Sequence, residues 1–131
     1  MSGDLLPPNF PPEIARAAFA AGNETAWRPL LASAAVEWFA AHGYAVLGTE
    51  LWLLRNEEIQ SLPIGLSGMR EVHCNSVNRG SGEAWGTFVS RAAAKTLTYL
   101  QSFNPADIVE EGDVYFNVTW VSEADFDKLA P

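Results

Sequence analysis

DVYFNVTWVSEADFDK, Asp113–Lys128, decides the fold. Val114, Phe116, Val118 and Trp120 alternate with Asp113, Tyr115, Asn117 and Thr119. Period-two alternation of β-branched and aromatic residues marks a strand buried on one face. Ser122 then stands where an N-cap belongs: its hydroxyl can accept from the amide of Asp125, while Asp125 can reach back, a capping box with Asp in the usual Glu place. Val121 and Phe126 flank that cap at the spacing of a hydrophobic staple. A strand running directly into a short helix is therefore expected.

Upstream lies the strongest helical pattern, Ser81–Phe103. Trp85, Phe88, Val89, Ala92, Ala93, Thr96, Leu100 and Phe103 form an apolar stripe at i, i+3, i+4, i+7 spacing. Ser81 is the expected N-cap and Asn104-Pro105 the stop. Tyr44–Arg55 (YAVLGTELWLLR) is apolar on both faces, with Ala45, Leu47, Leu51 and Leu53 opposite Tyr44, Val46, Trp52 and Leu54, as suits an inner strand. Glu50 interrupts it. Three explanations stand: the strand bends at Gly48 and lets the carboxylate reach water, the carboxylate has an Arg partner, or it is a functional acid.

The rest follows from turn chemistry. Residues 1–10 are expected to be an extended tail. Pro11-Pro12-Glu13 opens a helix with Ile14, Ala17, Ala18 and Ala21 on one face and Gly22 as its cap. A second helix starts at Trp27–Pro29 and ends at His42-Gly43. Short strands are placed near Glu58–Ile64 and Met69–Val77, because a structureless loop of that length is uncommon. The expected fold is α+β: one domain over residues 1–131, with a single small sheet of three to four strands and helices packed mainly on one face.

The chain has 131 residues, 16 acids, 8 bases and a net charge of −8. Seven of the acids and one base, Lys128, fall in the last 28 residues, a net −6. Such a balance argues against nucleic acid, whose phosphates need a basic surface, and favours a basic partner. The competing explanation is that the acids keep a small domain in solution. One cysteine, Cys74, excludes an internal disulfide. With no secretory leader in MSGDLLPPNFPP and no long apolar run, a cytoplasmic location off the membrane is expected.

Catalytic patterns are weak. His73 and Cys74 are adjacent, so on a strand they point to opposite faces. Two His, one Cys and no EF-hand or HExxH spacing leave no metal site, and no cofactor is expected. Gly80-Ser81-Gly82 lacks the lysine of a phosphate loop. Glu57-Glu58 and Glu110-Glu111 are adjacent acids of the kind usually solvated in turns.

Gly43–Leu54 (GYAVLGTELWLL) and Val114–Phe126 (VYFNVTWVSEADF) resemble segments of small α+β immunity proteins from bacterial polymorphic-toxin loci. The resemblance implies a cytosolic, non-enzymatic protein that neutralises a cognate toxin domain, with a nuclease the target best suited to an acidic surface. The expected contact set is Glu110, Glu111, Asp113, Glu123, Asp125 and Asp127 for charge, gathered on one face, with Trp52, Tyr115 or Trp120 as an exposed aromatic anchor. The alternative is a small-molecule-binding domain or enzyme with an aromatic pocket around Glu50.

Overall fold

The computed structural model describes residues 6–55, 58–61, 74–104 and 112–129. Element order is α1 (Pro12–Arg16), β1 (Phe19–Ala21), β2 (Glu24–Trp27), α2 (Pro29–Ala41), β3 (Ala45–Arg55), β4 (Glu58–Ser61), β5 (Cys74–Ser76), α3 (Trp85–Ser102), β6 (Asp113–Val121) and α4 (Glu123–Leu129). The α+β class holds. The described strands form one antiparallel sheet, β1-β2-β6-β3-β4, with β5 sharing the outer edge of β3 with β4. Four strands have four residues or more; β1 and β5 are three-residue additions at its margins.

The last strand in sequence is central in space. β6 pairs with β2 on one side and with nearly the full length of β3 on the other. Its alternation works as the residues require: Phe116 and Val118 are buried, and Val114 and Trp120 are partly buried against the same core. Trp27, Leu51 and Leu53 join them from β2 and β3. Ala32, Ala35, Val36 and Phe39 of α2, with Ala93 and Leu100 of α3, cover that face. Removing a Phe side chain such as Phe116 from water contributes about 2–3 kcal/mol. A second cluster joins Phe88, Val89 and Ala92 of α3 to Ala45, Val121 and Val77, with Phe126 of α4 packed against it. The Asp125 amide donates to Ser122 Oγ at 3.2 Å, and Val121 and Phe126 meet in one cluster, so cap and staple both form.

Several local expectations fail for identifiable reasons. The first helix is only five residues long; Phe19–Trp27 is a β-hairpin, not helix and connector. Gly22, at φ +61°, is the first of the two turn residues between the paired Ala21 and Glu24, which is where a II′ hairpin turn places Gly. Residues 6–10 are not an extended tail. The Phe10 amide donates to Pro7 O at 3.3 Å, and the Phe10 ring lies among Trp27, Trp38 and Phe39, with centroids 4.9–5.9 Å away. α3 starts four residues later than its expected cap: the N-cap is Ala84, not Ser81, without a side-chain cap.

In β3 the register against β6 shifts between Val46 and Gly48. Leu47 is the extra residue of a bulge, and the inserted position flips the alternation. Val46 therefore shares the core with Leu51 and Leu53, rather than lying on the face of Trp52 and Leu54. The Val77 amide donates to the carbonyl of Leu47 at 2.8 Å. β4 and β5 fall inside the two stretches expected to hold strands; residues 62–73 lie outside the described ones.

Candidate binding surface

Register fixes what the second face of the sheet carries. Opposite residues of antiparallel strands point the same way, so Glu50, Asn117 and Ala26 form one row, and Trp52 and Tyr115 the next. Alternation adds Asp113 from β6, Glu24 from β2 and Phe19 from β1 to the same side. The α2 and α3 residues of the first cluster cover the opposite side, whereas at the end of this one Val121 and Ala45 pack against Phe88, Val89 and Ala92 of α3.

Three carboxylates on it, Glu24, Glu50 and Asp113, come from three different strands and are all exposed. Asp113 Oδ1 is 3.1 Å from Arg28 Nη1, both half-exposed or more, a surface pair worth about 0–1 kcal/mol. Arg28 also lies over the Tyr115 ring at 5.6 Å, and Phe19 meets that ring at 5.7 Å. Glu50 Oε1 accepts from Trp52 Nε1 at 3.0 Å, while Glu24 has no ion pair among the described residues. Two shallow depressions of about 290 and 310 Å³ adjoin one another here, sharing Glu24, Asn117 and Thr119; Glu50 rims the second. Asn117 is buried and its Nδ2 donates to the carbonyl of Thr25 at 2.9 Å, which ties β6 to β2 through a side chain.

The expected contact residues are not gathered on one face. Glu110 and Glu111 lie outside the described residues. Asp113 opens β6, whereas Glu123, Asp125 and Asp127 follow its end on α4. Nine strand residues separate those groups by roughly 26 Å at about 3.3 Å per residue. Asp125 faces Lys128 Nζ at 3.6 Å. Neither tryptophan is an exposed anchor. Trp52 is 4% exposed, and Trp120 is on the helix side, stacked on Phe39 at 4.9 Å and edge-on to Tyr44. Tyr115 is half-buried, with Arg28 over its ring and Phe19 against it. For Glu50 the first of the three explanations applies: the bulge at Leu47 precedes it and its carboxylate is exposed. Among the described residues, the depression beside it has no aromatic side chain in its lining. Sequence reasoning missed Glu24 and Arg28, because they reach this face only through the hairpin.

Among the described residues, the strongest electrostatic pair is elsewhere. Arg91 grips Glu83 with Nε on Oε2 and Nη2 on Oε1, each at 2.8 Å, and its Nη2 also donates to Asn78 O at 2.6 Å. The Gly80 amide donates to Glu83 Oε1 at 2.7 Å. The hydrogen bonds from Arg91, then that from Gly80, hold the Glu83 carboxyl down at about 2; Glu83 in turn raises the Arg91 guanidinium above its ordinary value. Arg79 sits over Trp85 and Phe126 at 5.3 and 5.7 Å. This network fastens residues 78–83 to α3 and α4.

Among the described residues no three His, Cys, Asp or Glu are grouped to hold a metal ion, and no helix is long and apolar enough to cross a membrane. Comparison of the chain with protein-family models, curated proteins and solved structures gives no match in any of the three.

Proposed function

We propose that this chain is a non-catalytic inhibitor of the immunity type, which binds and neutralises a cognate bacterial toxin domain through the face of its sheet that carries Glu24 and Glu50. One observation carries the proposal: Glu50 is an exposed carboxylate whose orientation is fixed by the buried Trp52 indole, with a second exposed carboxylate, Glu24, two strands away. Two strand spacings and a two-residue offset along β2 put their backbones roughly 12 Å apart, a separation one basic patch can span. A carboxylate held before binding costs less entropy on association than a free one. Charges of this kind raise association rates and pair with Arg or Lys of the partner, and Tyr115 and Phe19 supply flanking apolar area. The C-terminal acids then serve as a general negative field, and a cationic nuclease is a partner of suitable charge.

The test is the association rate with the product of the adjacent gene, measured against salt. Glu24→Lys with Glu50→Lys is expected to slow association about tenfold or more at low salt and to flatten its salt dependence. Reversing Glu123, Asp125 and Asp127 together should change it by less than about threefold, since these acids sit at the far end of β6. No binding, or an unchanged rate after the Glu24/Glu50 reversal, overturns the proposal.

A further inference from the structure

The sheet ends at β1, whose outer edge pairs with nothing among the described residues. The two-residue turn at Gly22-Asn23 makes Ala21 and Glu24 the hydrogen-bonded pair that closes the hairpin. Ala20, opposite Thr25, is then the non-hydrogen-bonded position, and its N–H and C=O point away from β2. Ala20 is exposed. Proteins usually guard such an edge with Lys, Pro or a bulge. This one runs Ala17-Ala18-Phe19-Ala20-Ala21, with nothing on it to repel another backbone except its shortness.

Beside the edge lies a groove of about 720 Å³. Leu6, Pro7, Phe10, Ala15 and Ala18 supply its apolar lining, and Arg16 is its charged member. Arg16 is exposed, and its guanidinium has no ion pair or hydrogen bond among the described residues. Asn9, on the rim, holds φ +68°, a backbone conformation that non-glycine residues seldom adopt. The ladder groups, the apolar trench and the free guanidinium therefore lie side by side.

We infer that the β1 edge and this groove dock an extended peptide of a partner protein, added antiparallel to β1, with an acidic group at its C-terminal end against Arg16. Direction follows from position. Arg16 precedes β1 by three residues, and an antiparallel strand brings its C-terminal end to the start of the strand it joins. Main-chain bonds to Ala20 give the affinity, and alternate side chains entering the groove give the selectivity. The surface is distinct from the Glu24/Glu50 face and of opposite charge preference.

The probe is a fluorescein-labelled Thr-Val-Thr-Val-Asp peptide, amidated at its C-terminus, against the same peptide ending in Lys, with binding to the full chain followed by polarisation. The Asp-ended peptide should bind about tenfold more tightly, and Arg16→Glu should reverse that order. Ala20→Pro removes the outward N–H without touching the β1–β2 ladder and should abolish binding. Should that variant fail to fold, N-methylation of the peptide gives the same information on the wild-type chain: one set of alternate amides is expected to tolerate methyl groups, the other to lose binding. Equal affinity of the two peptides, or insensitivity to methylation of either set, overturns the inference. So does a dimer that Ala20→Pro dissociates, because a second copy of the chain would then be what occupies the edge.

Discussion

Thr49 offers the sharpest test of how the core is built. Its side chain lies opposite Val118 on the helix-covered face and is 4% exposed. Among the described residues its Oγ1 is a buried side-chain oxygen with no hydrogen-bond partner. Burying a hydroxyl without a partner costs about 1–3 kcal/mol. Valine has nearly the same shape, suits a strand, and has no polar atom to desolvate. Thr49→Val is therefore expected to stabilise the fold by about 1–2 kcal/mol, or about 3–5 °C in Tm per kcal/mol for a chain of this size. Thr49→Ser is the control: it keeps the hydroxyl and deletes a buried methyl, which should cost about 1 kcal/mol and leave a small void. Urea unfolding of the three proteins reads both numbers, provided the slope m stays constant. If the valine variant is no more stable than the parent, the hydroxyl has a partner, and its reading as an unsatisfied buried group is wrong.

Three further outcomes are expected. The depressed Glu83 carboxyl adds stability that is fully present above its ordinary value of 4.5 and is lost as pH falls toward about 2; Glu83→Gln should flatten acid unfolding across that window, seen by circular dichroism against pH. Gly22→Ala meets nothing within 4 Å and suffers only its φ of +61°, costing about 1–2 kcal/mol, whereas the Cβ of Gly112→Ala would lie 2.9 Å from Leu53 Cγ and Leu54 O; thermal unfolding should rank Gly112→Ala as clearly the worse. Trp27→Phe keeps an aromatic ring but loses the 2.8 Å bond from Nε1 to Ile14 O, leaving that carbonyl with the Ala17 amide as its donor, and should cost about 1 kcal/mol in urea unfolding.

Where residue spacing and local chemistry pointed the same way, the sequence was readable. The alternation of β6 and the cap and staple of α4 agree with one another, and both form. The α3 stripe was legible for the same reason: Phe88, Val89, Ala92, Ala93, Thr96 and Leu100 are all buried. The first hairpin was hidden by a coincidence of spacing. Ile14, Ala17, Ala18 and Ala21 satisfy a helical period, yet alanine fits either structure, and Gly22-Asn23 is also a two-residue hairpin turn. Thr25 and Trp27, alternating around Ala26, carried the strand signal. The bulge at Leu47 was foreseeable only as a bend near Gly48, because a one-residue insertion leaves no mark on composition.

The charge pattern misled for a different reason. Net charge along the chain is a one-dimensional quantity, and β6 converts it into two ends roughly 26 Å apart. Placing strand β6 between β2 and β3 does the opposite for residues far apart in sequence: Glu24, Glu50 and Asp113 span 90 positions but share one face. The same insertion decides which aromatic group can serve a partner. Trp120 is committed to Phe39 and Tyr44, and Trp52 is committed to Glu50, so its contribution is to orient a carboxylate rather than to enter an interface. Trp52→Phe therefore separates the two roles. It keeps the buried ring but releases Glu50, and should weaken binding of a basic partner several-fold with little change in association rate, because long-range attraction depends on the charge and dissociation on its fixed position. An equal fall in both rates would mean that the indole itself touches the partner.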